Sequence, residues 1–199
     1  EEIEGVSQQC AEWLRKVVPG VDRSAREIRK SSVSASRQGK QFSRPDHAAW
    51  TQRARKIASD LRKDPRSAVE DAKNLLSEER RYAEATGDSR PLALSLRNFA
   101  SSVWNTGPDQ ALEWAKEAWD WEPWDEYTGT TITKAVLHAR NAHAALPFAW
   151  ESLERFPDNH YAWNQLAEVL KKAGRLPEAT QIYLESKDRF VDNPASWTG

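Results

Sequence analysis

The sequence predicts an all-α protein, a right-handed helical-repeat solenoid built from antiparallel helix pairs. Three observations carry this prediction. First, like residues recur 34 apart: Ala111, Ala145 and Ala179; Ala118, Ser152 and Ser186; Pro123 and Pro157; Phe156 and Phe190; Trp163 and Trp197. A unit of that length is a helix–turn–helix that cannot bury its own apolar face and must stack on its neighbours. Second, apolar residues recur at helical spacing, and no segment sustains the alternation of a strand. Third, turn residues punctuate the pattern. In Lys172-Ala173-Gly174-Arg175-Leu176-Pro177, the glycine suits a left-handed helix end and the proline the first turn of the next helix. Asn105-Thr106-Gly107-Pro108-Asp109 repeats that punctuation, and Arg140-Asn141-Ala142-His143 does so without Gly or Pro.

Taken in order, about eight or nine helices are expected. Glu2 to Val18 places Ile3, Val6, Cys10, Trp13, Leu14 and Val17 on one stripe, and Pro19-Gly20 ends it. Asp22 to about Lys30 is a second segment, followed by a Ser-rich basic stretch to Pro45. Residues 1–45 are thus a divergent N-terminal helical region with a linker. Asp46 to Lys63 and Pro65 to Thr86 form a pair, with Asp64-Pro65 opening the second helix and Gly87 closing it. Its packing residues are Ala49, Ala54, Ala58, Leu61, Ala68, Ala72, Leu75 and Leu76. This pair, within 46–88, lies outside the 34-residue register and is either a degenerate repeat or a packing cap. Residues 89–199 hold about three repeats in register. Trp197 occupies the place of Trp163, so a further repeat starts where the sequence stops, and a longer polypeptide is expected.

The best copy runs from His160 to about Phe190. Trp163-Asn164-Gln165-Leu166-Ala167-Glu168-Val169-Leu170 fits W-x2-L-G-x2-Y, with Ala for Gly and Leu for Tyr; Ala179 and Tyr183 fit A-x3-F, and Val191 holds the closing proline position. On these residues the stretch resembles the tetratricopeptide repeat family. Two divergent copies precede it. Glu126 to Asn159 keeps Ala145 and Pro157 but has Gly129 at the Trp position. About Leu92 to Asp125 keeps Ala111, Ala118 and Pro123, and with one residue removed it sets Leu96, Phe99, Ala100 and Val103 in the motif places.

The resemblance implies a ligand groove lined by the first helix of each repeat. Carried over by register, the lining positions are Leu94, Arg97, Ser101, Trp104 and Asn105; Tyr127, Thr130, Lys134, Leu137 and His138; and Tyr161, Asn164, Glu168, Lys171 and Lys172. It also implies a non-catalytic scaffold or regulatory module that binds a peptide segment of a protein partner. Arg97, Lys134, Lys171 and Lys172 outnumber Glu168, which points to an acidic peptide. The Lys/Asn set that some family members use to clamp a C-terminal carboxylate is not present as a set.

Composition bounds the alternatives. Charged residues make up 30% and hydrophobic ones 39%, and the longest apolar run, Ala144 to Trp150, is too short for a bilayer. No membrane association is expected. Glu1, Glu2 and Glu4 stand where a signal peptide would be basic, and Cys10 alone can form no internal disulfide. These fit a reducing, cytoplasmic setting. Residues 1–64 carry 14 Lys or Arg against 9 Asp or Glu; residues 65–199 carry 15 against 21. A basic N-terminal arm for nucleic acid is the second reading, disfavoured because the bases alternate with acids. Self-association through the uncapped last repeat is a third.

No chemistry-bearing motif emerges. The four His, at 47, 138, 143 and 160, form no H-E-x-x-H, and no G-x-S-x-G elbow or Gly-rich phosphate loop occurs. No catalytic residue, metal or cofactor is expected. Of the ten Trp, Trp114 and Trp119 share register with Phe148 and Leu153 and read as packing residues, whereas Trp121 and Trp124 read as exposed.

Overall fold

A computed structural model describes residues 47–191, which lie within one compact unit, Asp46–Gly199. The expected helices Glu2–Val18 and Asp22–Lys30, the stretch to Pro45, Cys10 and Trp197 lie outside the described residues. The described residues form eight α-helices and no strand: α1 His47–Lys63, α2 Pro65–Thr86, α3 Arg90–Val103, α4 Pro108–Trp121, α5 Glu126–Ala139, α6 Ala142–Arg155, α7 His160–Lys172 and α8 Leu176–Arg189.

The helices pack as successive hairpins. Each odd-numbered helix packs on the even-numbered one that follows; α2, α4 and α6 each also touch the next first helix. The first helices α1, α3, α5 and α7 contact one another in sequence. This rhythm is what the 34-residue period demands, because an isolated pair leaves one apolar face uncovered. The periodic residues sit at the contacts: Ala111, Ala118, Ala145, Ser152 and Ser186 are fully buried and Ala179 nearly so. Without long side chains there, the helix backbones approach closely, and Phe99, Leu96, Leu166 and Leu170, all without solvent exposure, fill the space around them. Removing a side chain such as Leu166 would leave a cavity costing about 2–5 kcal/mol.

Local chemistry sets the helix ends. The Asp64 carboxylate accepts from the Arg66 and Ser67 amides to cap α2, whose end is Gly87 at φ 76°. Asp125, Asn141 and Asn159 cap α5, α6 and α7 with their side-chain oxygens. Gly174, at φ 78°, takes the left-handed turn expected of it. Gly107 does not: it has φ −146° and opens α4 ahead of Pro108, so that position is an N-cap rather than a left-handed helix end. The expected packing set of the α1–α2 pair is buried except for Ala49, which falls off the buried stripe of α1, five residues before Ala54 and so well round the helix from it.

Gly129 explains the lost signature Trp. A Cβ here would lie 2.7 Å from Ser152 Oγ and 3.3 Å from the Trp119 ring. The aromatic mass missing from α5 is supplied instead by Trp119 of α4, which packs into the space. Among the described residues, one carboxylate is also enclosed. Glu79 of α2 is 1% exposed, accepts from the Ser95 hydroxyl of α3 at 2.8 Å, and has no partner for its second oxygen. Burial pushes its carboxyl up to about 8, with the neighbouring Glu78 adding to the effect and the Ser95 bond opposing it.

Candidate functional site

Two tyrosines are set in equivalent places by equivalent caps. Tyr127 and Tyr161 each stand two residues after the capping side chain, and each donates its backbone N–H to it at 2.8 Å, to Asp125 and Asn159 respectively. Both rings are about half exposed, at 53% and 54%. Between them lies a groove of about 420 Å³, open to solvent. Tyr127, Thr130 and Lys134 of α5 form one wall; Tyr161, Asn164, Gln165 and Glu168 of α7 form the other, with Tyr183 of α8 at the side. Gln165 ties the walls together by donating its amide to the Thr130 carbonyl at 2.7 Å. Asn164 accepts from Ser186 at 3.4 Å, which holds α7 to α8 beside the groove. Tyr183 is half-buried, and burial holds its phenol above the ordinary range, so it is a neutral hydrogen-bonding group at physiological pH.

Residues 148–181, one full period from the middle of α6 into α8, match the family model of the tetratricopeptide repeat. The chain carries a tetratricopeptide repeat. The matched window contains all of α7, and so one of the two walls of the groove. No curated protein matches the chain significantly.

The other residues marked by the tetratricopeptide register are placed differently. Arg97 is paired with Asp125 at 2.6 Å and lies 5.2 Å from the Tyr127 ring centroid, so its charge is committed to the α5 cap. Trp104 stacks flat on His138, with centroids 5.5 Å apart and planes 5° from parallel, and Lys134 Nζ lies 5.7 Å from the indole. Burial first, then the Lys172 charge, hold the His138 imidazole below its ordinary range, so it is neutral at pH 7. Lys172 pairs with Glu168 at 2.9 Å, and Lys171 is exposed outside the groove. The sequence suggested a basic surface; the geometry corrects this. Of the four bases counted, two have carboxylate partners and only Lys134 lines the groove, facing a wall that carries Glu168.

Gln165 and Tyr183 were missed as lining residues because the register transfers first-helix positions two, five, nine, twelve and thirteen only. Gln165 falls between two of these, and Tyr183 belongs to a second helix. Their signal lay in amphipathicity: both carry polar tips on otherwise buried helix faces.

A separate aromatic cluster sits at the α4–α5 junction. The Arg155 guanidinium lies 4.4 Å from the Trp119 ring centroid and 4.9 Å from that of Trp124. It donates to the Pro123 carbonyl at 2.6 Å and pairs with Glu151. Arg189, one period later, bonds Asp158 at 2.6 Å, so the last-turn arginine of two successive second helices clasps the preceding loop. Trp124 is 67% exposed, as expected, whereas Trp121 is partly buried against the core, a correction due to its place in the last turn of α4.

Among the described residues, no group of three or more His, Cys, Asp or Glu is gathered to hold a metal ion, and no helix is long and apolar enough to cross a membrane.

Proposed function

We propose that this chain is a non-catalytic protein–protein interaction module whose α5–α7 groove holds an extended peptide segment of a partner. The tetratricopeptide match supports an interaction role. The observation that carries the finer reading is the pair of half-exposed tyrosines at equivalent capped positions, flanking an open groove with hydrogen-bonding groups along both walls. Rings of this kind give a peptide contact area at little entropic cost, and the polar groups fix its register. Glu168 is already engaged by Lys172, so Lys134 is the group to receive a peptide carboxylate.

The test is to select dodecapeptides from a displayed library on the full chain. Their affinities are then measured for the parent and for the Tyr127→Ala/Tyr161→Ala double variant. Loss of tenfold or more supports groove binding; unchanged affinities place the peptide site elsewhere and refute the reading.

A further inference from the structure

A histidine stands beside the cation of the groove. His138 follows Lys134 by four residues on α5, so the two side chains are neighbours on one helix face. Both meet the same indole. The His138 ring lies flat on Trp104, just past the end of α3, with centroids 5.5 Å apart and planes 5° from parallel, and Lys134 Nζ lies 5.7 Å from the centroid of that indole. His138 is nonetheless exposed, so part of its ring is open to a ligand. Lys134 lines the groove, which sets the imidazole next to the place where a peptide carboxylate would be held.

The charges around this ring are few. Lys172 and Glu168 act on it from α7 and Lys134 from α5 itself; α3 brings the uncharged Trp104, and α4 and α6 bring no charged group. Glu168 is already paired with Lys172 at 2.9 Å, and among the described residues no ion pair joins a carboxylate to Lys134 or His138. Burial of part of the ring, then the Lys172 charge, keep it neutral at pH 7. Once protonated, it is a second cation on the indole that already carries Lys134. An aromatic face stabilises each cation, but their mutual repulsion is relieved only by an anion beside them.

We infer that His138 gates the groove by pH: in mildly acidic conditions it joins Lys134 in holding a carboxylate of the bound peptide, so acidic peptides bind more tightly as pH falls below neutrality. This regulation deepens the peptide-binding reading and rests on it. The test uses the full chain and an acidic dodecapeptide selected on it from a displayed library, made also with every Asp or Glu replaced by Asn or Gln. Titration calorimetry should show the acidic form binding at least twofold tighter at pH 5.5 than at pH 7.5, and the amide form binding equally at both. His138→Phe keeps a flat ring against Trp104 but takes no proton, and should abolish the pH dependence. His160→Phe, whose ring centroid lies 3.9 Å from that of Tyr161, should leave it intact. The His138 imidazole titration, followed by nuclear magnetic resonance, should also move up by about half a pH unit when the peptide binds, a roughly threefold preference for the protonated form. Affinity that is flat in pH or falls with it, pH dependence that survives His138→Phe, or an unmoved imidazole titration overturns the gate. The groove stands in those cases if binding is lost in Tyr127→Ala/Tyr161→Ala, and binding indifferent to that double variant overturns both. A library that yields no acidic peptide overturns the gate.

Discussion

Glu79 makes the stability of this fold depend on pH in an unusual direction. The carboxyl is enclosed between α2 and α3, with one oxygen on Ser95 and the other without a partner, and it titrates near 8 rather than at its ordinary 4.5. The folded chain therefore holds a proton that the unfolded chain releases. This contribution is fully present below the unfolded value and is lost as pH rises through the folded one, at about 1.4 kcal/mol per pH unit. With these two values, the loss between pH 6 and pH 9 is about 2.5 kcal/mol. Glu79→Gln keeps the shape and the acceptor for Ser95 but cannot ionise. Denaturant unfolding followed by tryptophan fluorescence, on parent and variant across that range, isolates the group from all other titrations. The stability difference should swing by about 2.5 kcal/mol in favour of the variant as pH rises, on the order of 5–10 °C in midpoint. A difference that stays flat, or that swings towards the parent, would show that Glu79 is ionised in the folded state and would refute the burial argument.

Other substitutions probe the packing and the groove. Gly129→Val should cost about 2–3 kcal/mol by overpacking, since even a Cβ crowds Ser152 and Trp119; a midpoint within experimental error of the parent would contradict the close approach. Arg155→Ala removes two ring contacts, the Pro123 bond and the Glu151 pair, and should destabilise by about 2 kcal/mol while altering tryptophan emission. Lys134→Glu should weaken an acidic peptide more than tenfold, whereas Lys171→Glu, outside the groove, should change affinity less than twofold; the reverse order in a titration would remove the groove assignment.

What the sequence revealed and what it hid divide along physical lines. Features written in local or periodic residues were legible. The 34-residue alanines mark the helix contacts, Asp64 and Gly87 bound α2, and Gly174 takes its left-handed turn, because each depends on backbone geometry that one residue sets. Gly107 shows the limit: the same Gly-Pro punctuation serves a helix start as readily as an end. Charge pairing was not legible. Arg97 meets Asp125 across two helices, and only the fold reveals that this base is spoken for. The groove itself was half legible. Tyr127, Lys134, Tyr161 and Asn164 follow from register, but Tyr183 enters from a second helix that the register does not count. The compensation of Gly129 by Trp119 was likewise hidden, because the replacement comes from the preceding helix pair.

The most direct test of the central claim is amide chemical-shift mapping of the isotopically labelled chain during titration with a selected peptide. Saturable shifts are expected on α5 and α7 between Tyr127 and Glu168, with Tyr183 joining them. Shifts centred on the second helices α2, α4 and α6, with α5 and α7 silent, would contradict that claim.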